Sequence, residues 1–166
     1  MPRQDSTADV MADRIGQKLA QLIRDDTSRT EIRSVAFGSA EFLAQTENID
    51  RLLPGIWIRP TASSDYVEAE QTASLFAVSD TFRIAAVAPY RQDQDPIEAV
   101  SKILRIAVRV LRGNRALTGL DIAPHRLVDS GIVSIDWDPF ENEFFRELGS
   151  PIRVATLLWS VRWLTR

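Results

Sequence analysis

The sequence predicts an α+β fold: a mostly antiparallel sheet, with an N-terminal helix and a central amphipathic helix packed on one face. Three observations lead there. Met11, Ile15, Leu19, Leu22 and Ile23 recur at steps of three and four, the period of a helix. "DPIEAVSKILRIAVRVLRGN" repeats that period between strong start and stop signals. "LFAVSDTFRIAAVAPY" and "IRVATLLWSVRWLTR" instead alternate at period two, as strands with one buried face do. The order is helix, a small mixed region, strands, helix, two strands, and this suits an antiparallel layer with helices on one side. No repeat, low-complexity tract or linker splits the chain, so residues 1–166 read as a single domain.

The first helix is predicted from about Asp9 to Asp25, with Asp13, Gln17, Gln21 and Arg24 lying away from its apolar stripe. Ser6 followed by Asp9 resembles a capping box. "EIRSVAFG" then sets Ile32, Ser34 and Ala36 against Arg33, Val35 and Phe37, the pattern of a short strand. "SAEFLAQTENIDRLL" reads as a short helix broken at Pro54-Gly55. "GIWIRPTAS" is the next strand, ending or lying at an edge where Pro60 lacks an N–H for the ladder.

"SSDYVEAEQTA", Ser63 to Ala73, is polar and is expected to form a loop or projecting arm. After it, Phe76, Val78, Phe82, Ile84 and Ala86 keep one period-two register through Asp80. A tight turn at Ser79-Asp80 would disturb that register, so one long strand, bulged or regular, is expected rather than a hairpin. From Leu75 to Ala88 it would extend roughly 45 Å at about 3.3 Å per residue, long enough to project past a core sheet.

The central helix starts with Asp95 as N-cap, Pro96 at the first helical position and Glu98 in the first turn. Gly113-Asn114 supplies its stop. Ile97, Val100, Leu104, Ala107, Val108 and Leu111 form one stripe, which Ile103, Ile106 and Val110 widen. The resulting apolar arc is about 200°, where a surface helix needs little more than about 100°. Lys102, Arg105, Arg109 and Arg112 crowd the remaining strip, extended by Arg115. A connector punctuated by Gly119, Pro124 and Gly131 leads to a strand, Ile132 to Asp138. "PFENEFFRELGS" reads as a loop with one helical turn. The closing strand puts Leu157, Trp159, Val161 and Trp163 on one face, and Thr156, Leu158, Ser160 and Arg162 on the other.

Composition narrows the function classes. There is no cysteine, which excludes disulfides and thiolate chemistry. The net charge of -3 gives no broad positive field for nucleic acid. "MPRQDSTADVMADR" lacks the apolar core of a signal peptide, and no window is apolar enough to span a membrane. A soluble protein, made in the cytoplasm, is expected. His125 is the sole histidine, and "APHRL" does not resemble the setting of a nucleophile. With one His and no Cys, zinc is poorly supported. Asp136, Asp138 and Glu141 could hold a hard cation or do acid–base work, although a solvated strand end explains them more simply. The seven glycines form no phosphate-binding loop. No cofactor, metal site or catalytic residue is assigned.

The second half carries a resemblance. A strand "SDTFRIAAVAPY" leads through a polar turn into the capped helix "DPIEAVSKILRIAVRVL"; a connector follows, then strands "DSGIVSIDWD" and "IRVATLLWSVRWLTR". This succession resembles the tail terminator, or tail completion, proteins of long-tailed phages and phage-like particles, and "ADRIGQKLAQLIR" and "LLPGIWIRP" fit the same template. The resemblance implies a non-enzymatic virion protein at the head-proximal end of the tail. It would form a homohexameric ring that caps the tail tube and stops its polymerisation. Implied partners are other copies of itself, the tube protein and a head-completion or neck connector protein, with sheath protein a further candidate. DNA would only pass through the lumen. Neighbouring copies would supply what the wide helical arc and overlong strand leave unmatched. The expected interface joins Phe76, Val78 and the Ser63 to Ala73 arm to a neighbour's helix around Lys102, Arg105, Ile106, Arg109 and Val110. The alternatives are another neck, sheath-associated or baseplate component, or a small carboxylate-metal enzyme.

Overall fold

The computed structural model describes residues 7–26, 31–38, 51–61, 65–68, 76–89, 92–141 and 152–165. It is an α+β fold in the order α1 (Thr7–Asp25), β1 (Ser34–Phe37), β2 (Gly55–Pro60), β3 (Asp65–Glu68), β4 (Phe76–Pro89), α2 (Pro96–Gly113), β5 (Arg126–Glu141) and β6 (Ile152–Thr165). The main path across the six-stranded sheet is β1-β2-β4-β6-β5, and β3 also pairs with β4.

The alternation through Asp80 does make one strand. β4 runs antiparallel to β6 from Phe76 opposite Thr165 to Pro89 opposite Ile152, with no slip. Its other flank takes β2 against Phe82–Val87 and β3 against Phe76–Ser79. The expected overhang is therefore absent: β4 is long because it is the centre of the sheet. The expected arm is corrected in part as well, because Asp65–Glu68 is a strand of that sheet. Residues 62–64 and 69–75 of that region lie outside the described residues, as do the short helix expected after Gly38, through residue 50, and the Ser6 cap. β1 and β2 run parallel; the other strand pairs are antiparallel. β2 ends at Pro60, where the missing N–H predicted an end.

Both helices pack on one face. Met11, Ile15, Leu19 and Ile23 of α1 are buried with Val100, Leu104, Ala107 and Leu111 of α2. Facing them are Ile58, Phe82, Ile84, Leu157, Trp159 and Trp163. Each such fully buried Val, Leu, Ile, Met or Phe side chain contributes about 1.5–3 kcal/mol. A smaller apolar cluster of Leu53, Trp57, Val87, Ile152 and Val154 lies on the other face. Gly16 lets α1 approach the sheet: a Cβ there would clash with the Phe37 ring.

The caps of α2 follow the sequence at both ends. Asp95 accepts a hydrogen bond from the Ile97 N–H at 2.9 Å, and Pro96 opens the helix. The stop is made by Asn114 rather than by a left-handed glycine. Its N–H donates to the Leu111 carbonyl and its side-chain amide to the Val110 carbonyl, satisfying two terminal acceptors. In the connector, Gly119 has φ 84°, a conformation that suits glycine.

Two edge strands of the sheet, β1 and β5, share one device. Arg24 of α1 forks onto the Val35 carbonyl of β1 at 3.0 and 2.9 Å. Arg115, just past α2, donates to the Ser130 carbonyl of β5 at 2.8 Å. Each guanidinium occupies an edge carbonyl that another strand could otherwise use.

Candidate subunit interface

The basic strip of α2 faces outward as expected, and most of its cations have partners within the chain. Lys102 pairs with Glu98 at 3.2 Å and Arg109 with Asp26 at 3.3 Å. The Arg105 guanidinium lies 5.7 Å from the centre of the Trp137 ring. Arg115 pairs with Asp129 at 3.2 Å. The side chain of Arg112 makes no ion pair or hydrogen bond among the described residues. Exposed pairs of this kind are worth about 0–1 kcal/mol, so an incoming acidic surface could replace them at little cost.

Two apolar residues of the expected interface, Val78 and Val110, are corrected by burial. Val78 is 0% exposed and Val110 7% exposed within a single chain. They serve the core and have no surface to offer a neighbour. Ile106 is half-buried against the same core. The wide arc of α2 has an internal cause: α1 covers one flank of the helix while β4, β5 and β6 cover the rest. Ile97, at the exposed first turn, is the residue of that arc left substantially bare, at 47%. Phe76 pairs through its backbone with Glu68 and Thr165; its side chain lies outside the described residues.

Exposed hydrocarbon gathers instead on β5, which the sequence did not single out. This edge strand shifts register between Leu127 and Asp129, between Ile132 and Ser134, and between Asp136 and Phe140. The residues inserted at the first two shifts are Val128 and Val133, exposed by 51% and 59%. Beside them runs a groove of about 750 Å3. Arg112, Arg115 and Arg162 line it together with Ser79 and Ser160, whose hydroxyls share a hydrogen bond at 3.0 Å. One sequence signal could have found this place. Leu127-Val128 and Ile132-Val133 are adjacent apolar doublets, each of which breaks strict alternation and so marks a bulge.

The chemical candidates do not assemble into a site. His125 meets the Trp163 ring edge-on, with centroids 5.1 Å apart, which is a packing role. Asp136 is exposed on β5, and the shift between Asp136 and Phe140 interrupts the alternation that would align it with Asp138. The side chains of Asp138 and Glu141 lie outside the described residues. Among the described residues no group of three potential metal ligands comes together, and no helix is long and apolar enough to cross a membrane. No protein-family model matches the chain, and no curated protein matches it.

Proposed function

We propose that this chain is a ring-forming structural subunit of the tail-terminator kind. In this reading it caps the head-proximal end of a phage tail tube, stops tube growth and presents the surface that joins the head side. One observation carries the reading: a long central strand enters a capped helix, a short connector follows, and two long antiparallel strands close the chain. The reading rests on the resemblance of that succession to the order of elements in tail terminators.

Surplus hydrocarbon on α2 and an overhanging β4 no longer argue for neighbours, because the protomer buries the first and pairs the second. What now favours association is the exposed valine pair on β5 beside an arginine-lined groove. Function in this reading is geometric: no bond is made or broken, and no cofactor takes part. Partners are further copies of the chain, the tube protein, the head-side connector and, in a contractile particle, the sheath.

Electron microscopy of particles assembled without this protein tests the proposal. Overlong tails, or tails detached from heads, are the expected result. Tails of normal length joined to DNA-filled heads would overturn it. Tails of normal length with a defect at the distal end would favour the baseplate alternative.

A further inference from the structure

We propose that the groove beside β5 is the receiving half of a head-to-tail contact with a second copy of this chain, and that it takes the carboxylate-bearing surface around Ile97. This rests on the ring reading above and specifies which two surfaces meet.

The groove combines charge with exposed hydrocarbon. Among the described residues, Arg112, Arg115 and Arg162 line the groove with one carboxylate, Asp129, an excess of positive charge on a chain whose net charge is -3. The side chains of Arg112 and Arg162 make no ion pair or hydrogen bond among the described residues. Val128 and Val133 supply the apolar surface. Trp159 contributes to the wall, and its buried Nε1 has no hydrogen-bond partner among the described residues.

A complementary surface exists on the same molecule. Ile97 is exposed at the start of α2, and Asp93, Asp95 and Glu98 around it are exposed as well. The two surfaces sit at opposite ends of an 18-residue helix, about 27 Å apart at about 1.5 Å per residue. They therefore cannot meet within one chain. Two unlike patches that match between copies form a heterologous contact, which propagates and closes into a ring when the rotation allows. Opposite charge at the rim steers the encounter and fixes register, while the apolar centre supplies contact area. A nucleic acid is the less suitable occupant, because Asp129 stands in the groove and the Ile97 surface would have no counterpart.

A charge exchange tests the contact. One variant carries Arg112→Glu and Arg162→Glu; the other carries Asp93→Lys and Glu98→Lys. All four positions are exposed, and Asp95 and Arg115 keep their structural hydrogen bonds. Circular dichroism confirms folding, and light scattering follows assembly of wild type, each variant alone and an equimolar mixture. Wild type is expected to associate, each variant to associate about tenfold more weakly or worse, and the mixture to recover. Recovery is specific, since each reversed surface then meets its opposite on the other variant. Assembly of both variants as tight as wild type would overturn this contact while leaving the ring reading to the tail-length experiment. A wild type that stays monomeric at every concentration would also overturn it. So would binding of duplex DNA that Arg112→Glu and Arg162→Glu abolish while assembly is untouched.

Discussion

β4 and β5 are strands of similar length, 14 and 16 residues, with opposite habits. β4 is paired on both flanks and keeps one register from end to end. β5 is paired on one flank and shifts register three times. A central strand that slipped by one residue would turn its buried set to the wrong face and break two ladders at once. An edge strand that takes in an extra residue disturbs one ladder, bends, and spoils its outer side as a template for stray pairing. Stability is concentrated in β4, whereas β5 is free to carry surface features such as Val128 and Val133.

The largest expected effect is on the central strand. Phe82→Ala removes a fully buried ring from the middle of β4 and should cost about 3–5 kcal/mol, seen as a lower urea midpoint. A loss under about 1 kcal/mol would mean that β4 is not the core of the sheet. Next comes Trp163→Phe. The indole Nε1 donates to Asp80 Oδ2 at 2.7 Å, holding a carboxylate that is only 2% exposed. Deleting that donor while keeping an aromatic ring should cost about 1–3 kcal/mol, because a buried acceptor loses a partner. Thermal melts read the change, and an unaltered Tm would show the bond to be dispensable.

The same contrast decides what could be read from the sequence. β4, β6 and both helices were legible because a buried face imposes a strict period, and Asp80 could sit in that period since Trp163 meets it. α2 was legible as a helix and misleading as a surface. Its arc of apolar residues is wide because α1 packs against it from the side, and no count along one helix shows what another helix will cover. The alternation predicts β5 over Ile132 to Asp138, whereas the strand runs from Arg126 to Glu141, because its inserted residues hide the period on which the prediction depends. For the candidate interface, Lys102, Arg105 and Arg109 are exposed as read, whereas Val78 and Val110 went to the core. The groove escaped because Ser79, Arg112 and Arg162 come from three separate elements that only the fold brings together.

A smaller effect tests how the edge is held. Arg115→Ala removes the donor to the Ser130 carbonyl and should cost about 1 kcal/mol, with little further loss from its exposed pair with Asp129. Hydrogen exchange is the sharper measurement. Amides of β5 near Ser130 should exchange faster while those of β4 keep their protection, since local opening at an edge need not involve the centre. Equal acceleration in both strands would show that the edge and the centre open as one unit.

The smallest expected effect on folding is also the most informative for assembly. Val128→Ser with Val133→Ser alters two side chains that are more than half exposed at register shifts, where they contribute little to the core. Stability should stay within about 0.5 kcal/mol of the parent, in contrast to the loss from Phe82→Ala. If these valines form the apolar centre of a contact between copies, the same protein should self-associate more weakly in light scattering, at unchanged Tm. The two readouts separate the roles. A drop in Tm would place the valines in the fold and erase the contrast between edge and centre. Unchanged association at unchanged Tm would leave them as ordinary exposed residues on a bulged edge, and any contact between copies would then have to be made without them.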